Sequence, residues 1–139
     1  MSNEQANKNL FPIEIELPFV INIEEIKLRI SGRYDVIYKA HDGVEIRDFK
    51  TSEVDTEKKA NQKLKENIQL DIYAYGWDMS HDTKVAVKSL VFVEHDLVAT
   101  SDKIDHQATL ATLKKVAEGI RSRKFAQNGT SRLNFNQIL

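Results

Sequence analysis

Apolar positions alternate with polar or small ones from Ile26 to Tyr38, through Leu28, Ile30, Gly32, Tyr34 and Val36. This is the period of two that a strand imposes on its two faces. The run breaks at Ala40-His41-Asp42-Gly43, where Asp-Gly is a strong hairpin signal, and a further strand is predicted over residues 44–50. Upstream, residues 13–21 predict an opening strand that turns through Asn22 to Glu25 into the long one, giving a three-stranded antiparallel meander. From about Thr56 to Met79 the chain has no proline, and Leu64, Ile68, Ile72, Tyr75 and Met79 recur at spacings of three and four, as in an amphipathic helix. Residues 84–93 end in a continuous apolar run and read as a buried strand. A second helix is predicted over residues 104–123, with Leu110, Leu113, Ala117 and Ile120 on one side and Asp105 near its start, where the helix dipole favours an acid. The order β-β-β-α-β-α predicts an α/β, α+β-like fold. Its last strand is reached by a crossover, so the sheet is mixed: an antiparallel meander flanked by helices.

This frame brings scattered acids together. Facing residues of an antiparallel pair have indices of constant sum. A turn centred between His41 and Asp42 sets Asp35 opposite Asp48, whereas a turn at Asp42-Gly43 sets Asp35 opposite Lys50 and diagonal to Asp48. In both registers Asp35, Asp48 and Lys50 share a face with Ile37, Val44 and Ile46. Two carboxylates at the edge of an apolar surface repel each other, so a cation is expected between them. Hard oxygen donors, in a chain without cysteine, favour Mg2+ or Mn2+ over zinc. Lys50 could orient or help deprotonate a water, or steady charge developing on a phosphate. Read structurally, the same three residues are a half-exposed ion cluster. Gln69 and Tyr73, four apart, stack on one side of the long helix. They offer an amide and a phenol to a phosphate, a base edge or a carboxylate, or they are a helix-flank residue and a core aromatic.

Gly32-Arg33-Tyr34-Asp35, then Asp48-Phe49-Lys50-Thr51-Ser52, then Gln69-x-x-x-Tyr73-Ala74, resembles the PD-(D/E)XK nuclease superfamily, and most of all its RecB-type branch. That branch occurs as the C-terminal nuclease domain of UvrD/Rep-type helicase-nucleases, and the resemblance spans roughly residues 14 to 95. It implies a restriction-endonuclease-like core in which Asp35 and Asp48 bind a divalent metal, Mg2+ or Mn2+. Lys50 would assist the attacking water, and Gln69 and Tyr73 would support the site and contact DNA. Arg33, Thr51, Ser52, Lys58 and Lys59 are the candidate nucleic-acid contacts around it. The implied function is a Mg2+-dependent DNA nuclease domain, part of a helicase-nuclease in DNA repair or recombination, with DNA and a linked helicase motor as partners. The first helix of the family, which brings a Glu or His, has no counterpart here; Glu14 or Glu16 could approach the site instead. The cysteine cluster of many relatives is also missing, so no iron-sulfur cluster is expected. The chain is then a piece of a longer polypeptide or a trimmed relative. The alternative function is a catalytically inactive remnant that docks DNA or protein.

Size agrees with one nuclease-like domain over residues 11–125, between a flexible segment 1–10 and a tail 126–139: the chain's 139 residues, 41% hydrophobic, can bury one core. No apolar run reaches membrane-span length and no signal peptide opens the chain, so a cytoplasmic protein without membrane contact is expected. His41, His81, His95 and His106 lack ligand spacing and read as surface or turn residues. The net charge of -1 argues against a freestanding nucleic-acid binder. Local basic patches exist, at Lys58, Lys59, Lys63 and Lys65 and at Arg121, Arg123, Lys124 and Arg132, although Asp55, Glu57 and Glu66 dilute the first. A tethered nuclease needs little affinity of its own, because tethering raises its effective concentration on DNA.

Overall fold

A computed structural model of the chain describes residues 11–124 and 131–134. The expected flexible segment 1–10 and most of the tail lie outside the described residues. The meander is present: β1 (Pro12–Ile23) and β2 (Leu28–Ala40) pair antiparallel through a 3-10 turn, Glu24–Ile26, that ends on Lys27 at a left-handed φ of 50°. β2 then pairs with β3 (Gly43–Lys50) through the two-residue turn His41-Asp42, with Ala40 facing Gly43 and Ile37 facing Ile46. This is the register that sets Asp35 opposite Asp48. Gly43 abuts the Lys84 carbonyl so closely that a Cβ there would collide with it, and Val44 N–H donates to the same oxygen at 2.9 Å.

Where one long helix is expected there are two, α1 (Glu57–Glu66) and α2 (Ile68–Ser80). Asn67 separates them in an extended conformation, ending α1 and capping α2 by accepting from Leu70 N–H at 2.8 Å. A short amide that bonds the backbone competes with helix continuation. The break re-aims α2: Leu70, Ile72, Tyr73, Ala74 and Trp77 are buried, while Ile68 and Met79 of the expected stripe are largely exposed. The crossover leads to β4 (Val85–Phe92), parallel to β3. A strand not anticipated, β5 (Leu97–Ser101), turns back against β4. After α3 (His106–Lys124), β6 (Ser131–Asn134), within the expected tail, pairs in parallel with the first residues of β2. The sheet runs β1-β2-β3-β4-β5, with β6 on β2. It is the mixed α/β architecture expected, with two more strands and one more helix among the described residues than the sequence order predicts.

The core lies between the sheet and the helices. Leu28, Ile30, Ile37, Ile46, Leu90 and Phe92 of the sheet share one core with Leu70 and Ile72 of α2, and Leu113 and Ala117 of α3 are also fully buried. Each such aliphatic side chain contributes roughly 1.5–3 kcal/mol by burial. Along β2 the buried face switches parity: Leu28, Ile30 and Tyr34 are buried, and then Ile37. Glu16, across from Asp35 in the β1–β2 register, takes a left-handed φ of 51°. Tyr34 and Asp35, on either side of that switch, both come up against α2: Tyr34 bonds the Tyr73 carbonyl, and the charge of Asp35 is felt at Tyr73. Two histidines depart from a surface role: His81 stacks on Trp77 at 3.6 Å, and His106 Nε2 lies 2.6 Å from Asp78 Oδ2.

Candidate active site

The last turn of the β2–β3 ladder is finished by a side chain. Beyond the Val36–Arg47 pair, Asp35 Oδ2 accepts the Phe49 backbone N–H at 3.0 Å. This anchors Asp35 beside Asp48, a residue only 4% exposed. Lys50, two residues on and on the same face, sets its Nζ 2.9 Å from Asp48 Oδ2. That oxygen is buried without a hydrogen bond of good geometry. Burial first, and the neighbouring Asp35 carboxylate second, push Asp48 up to about 7, and the attraction of Lys50 does not offset them.

From Lys50 a hydrogen-bonded chain crosses to α2. Lys50 Nζ donates to Gln69 Oε1 at 3.1 Å, and Gln69 Nε2 donates to the Tyr73 hydroxyl at 2.7 Å. The i, i+4 spacing on a helix makes the second contact possible. Tyr34 O–H donates to the Tyr73 carbonyl at 3.2 Å, fastening the residue beside Asp35 to the helix. Phe19 of β1 stacks on Tyr34 at 4.6 Å and meets the edge of Tyr73 at 5.2 Å. Burial, with the charge of Asp48 second, pushes the Tyr73 hydroxyl up to about 12, and burial raises Tyr34 as well; both stay neutral.

The structure thus brings together Asp35, Asp48, Lys50, Gln69 and Tyr73, drawn from three elements. The expected nucleic-acid contacts stand apart from this chain. Arg33 is exposed and pairs with Glu16 at 3.7 Å; Thr51 and Ser52 are exposed just after β3. Lys58 and Lys59 are exposed on the first turn of α1, where Lys59 Nζ is tied to Asp55 at 3.1 Å. Among the described residues no third carboxylate, histidine or cysteine joins the two acids as a cluster; Glu14 is exposed and Glu16 is turned toward Arg33. Sequence reasoning missed the fastening role of Tyr34 and Phe19. The signal was present, since both occupy apolar positions of alternating strands next to the acid.

The donor set fits a divalent cation of the Mg2+ type. Such ions keep several waters and take one or two carboxylates, and here two carboxylates converge, with the buried Asp48 Oδ2 facing the Lys50 ammonium but held by no hydrogen bond of good geometry.

No curated protein sequence matches the chain significantly. Among solved structures, the crystal structure of SSO0001 superposes with a TM-score of 0.53 at 17% identity, over 86% of this chain and 54% of that one. The likeness is one of fold, and this chain spans about half the length of that protein. The sequence model of the PD-(D/E)XK nuclease superfamily matches residues 2–132, nearly the whole chain. With its mixed sheet and the Asp, Asp-x-Lys and Gln-x-x-x-Tyr residues gathered at one end of β3, the chain belongs to the PD-(D/E)XK nuclease superfamily.

Proposed function

We propose that this chain is a Mg2+- or Mn2+-dependent DNA nuclease domain of the RecB-like kind, working beside a helicase motor in DNA repair. The observation that carries the reading is the contact of Lys50 with both Asp48 and Gln69, which ties the strand acids to the helix in one polar chain. Asp35 and Asp48 would hold the cation. Bound there, the cation supplies Lewis-acid polarisation of a scissile phosphate and makes water a better nucleophile at neutral pH. Lys50, kept in place by Asp48 and Gln69, directs its ammonium at the attacking water and at charge building on the phosphate oxygens. Gln69 sets the position of Lys50, and Tyr73 fixes the amide orientation of Gln69 through its hydroxyl. The exposed Arg33, Thr51, Ser52, Lys58 and Lys59 would contact backbone phosphates, Arg33 and Lys59 by giving up their pairing with Glu16 and Asp55.

A second reading draws on the small donor set. With two acids and no third among the described residues, a silent member of the fold that holds DNA without cutting it is the competing function. Cleavage of labelled single- and double-stranded DNA, and of RNA, with Mg2+ or Mn2+ separates the two. Metal-dependent cutting that disappears in Asp48→Ala and Lys50→Ala supports the nuclease. Binding that weakens steeply with salt, with no turnover in either metal, supports the silent fold.

A further inference from the structure

Away from the acids, on the β5 side of the sheet, α1 and β5 enclose a pocket of about 480 Å3 lined by Asn61, Leu64, Lys65, Lys88, Thr100, Ser101 and Lys103. Three of its lining residues are lysines and none is an acid. Lys88 is held in place by an ion pair with Asp71 of α2. Lys65 and Lys103 have no ion-pair partner among the described residues. Asp71 compensates Lys88, and Asp71 and Asp105 stand in the adjoining cleft that Lys88 and Lys103 also line, so the uncompensated positive charge at the pocket is that of Lys65 and Lys103, and it favours an anion there.

The hydroxyls refine the picture. Ser89 gives its hydrogen to Glu45 at 2.6 Å, so Thr100 Oγ1, 3.0 Å from Ser89 Oγ, gives its own hydrogen to Ser89. Thr100 is therefore spent as a donor. Ser101 Oγ accepts the Lys103 backbone N–H at 3.1 Å, which leaves the Ser101 hydrogen free to donate and folds Lys103 back over the pocket. Lysines, one hydroxyl and the Asn61 amide suit phosphate oxygens, and Leu64 adds an apolar wall that bare phosphate would not use.

Position adds to this. Lys88 stands two residues along β4 from Leu90, the partner of Asp48, a rise of about 7 Å. β5 lies two strand spacings from β3, about 10 Å. A strand lying at the acids has its next few phosphates within reach. We propose that this pocket is a phosphate site taking one nucleotide unit, from a bound strand or as a free mononucleotide; the strand version rests on the nuclease reading above.

The test uses the full chain in chelator, so that nothing is cleaved. Inorganic phosphate, dAMP and a single strand of about 12 nucleotides are titrated, with amide NMR shifts read at Thr100, Ser101 and Lys103 and strand affinity read by anisotropy. Saturating shifts are expected, lost in Lys65→Gln/Lys103→Gln, together with a strand affinity about tenfold weaker and a shallower salt dependence. Shifts with the strand but not with dAMP assign a strand subsite; shifts with both assign a mononucleotide pocket. No shift with any of the three, or an affinity unchanged in a folded double variant, overturns the proposal. A protein that shows the shifts and yet cuts nothing with metal refutes the nuclease reading alone, while one that cuts and shows none refutes the pocket alone.

Discussion

Asp35 and Asp48 face each other just past the Val36–Arg47 pair, and Asp48, the more buried, is pushed up to about 7 from an ordinary 3.8. A carboxyl raised in the folded state favours folding while it is protonated in both states. That contribution is complete below about pH 3.8 and is lost as the pH climbs to about 7. In metal-free protein, the melting temperature of the wild type relative to Asp48→Asn should therefore fall from about pH 4 to about pH 7 and level off above. A difference that stays constant across that range would remove the burial of Asp48 as its cause.

Divalent cation should reverse this loss. Binding to the folded state alone stabilises by about 2.7 kcal/mol at a hundredfold excess over Kd. Because the acids must be ionised to bind it, the Mg2+-induced rise in melting temperature should be larger at pH 8 than at about pH 6. Differential scanning fluorimetry of Asp35→Asn and Asp48→Asn should show almost none of the rise.

The Gln69–Tyr73 contact lends itself to a double-mutant cycle. Tyr73→Phe leaves the buried Gln69 Nε2 without the acceptor at 2.7 Å, a cost of about 1–3 kcal/mol. Adding Gln69→Leu removes both partners, so denaturant melts should show the double variant losing less than the sum of the two singles. Both single variants should also slow metal-dependent cleavage with a larger effect on kcat than on KM, because Lys50 loses its guide.

Lys50→Met tests the ammonium directly. Cleavage should fall by about 10²–10³. Stability at about pH 5 should change little, since Asp48 is then largely neutral, and the loss should grow above pH 7 where an unpaired buried charge remains. A variant that melts alike at both pH values would show that Lys50 does not compensate Asp48.

Gly76 lets α2 lie close to the sheet. A Cβ there would come within 2.5 Å of Ile21 Cδ1, 3.0 Å of its Cγ1 and 3.3 Å of the Tyr34 hydroxyl. Gly76→Ala gains about 1 kcal/mol of helix propensity but overpacks a full core, at about 1–3 kcal/mol. The expected balance in urea melts is a loss of up to about 2 kcal/mol, with cleavage impaired as Tyr34 and α2 shift.

Local patterning was enough for the meander, the Asp-Gly hairpin, the crossover and the shared face of Asp35, Asp48 and Lys50. Each of these follows from the strict alternation of a strand and from a turn a few residues long. It left two registers open. The two-residue turn His41-Asp42, closed by the Ala40–Gly43 pair, selected the one that sets Asp35 opposite Asp48. The break at Asn67 was written in an Asn followed three residues on by Leu70, but apolar spacing ran across it, and only packing against the sheet made Gln69 and Tyr73 buried rather than flanking. β5 is short, and β6 pairs with a strand about a hundred residues away. Neither carries a local pattern strong enough to stand alone. The near-neutral Asp48 was equally out of reach: its type and place are local facts, whereas its pKa is set by how much water the surrounding helices exclude and by a carboxylate on another strand.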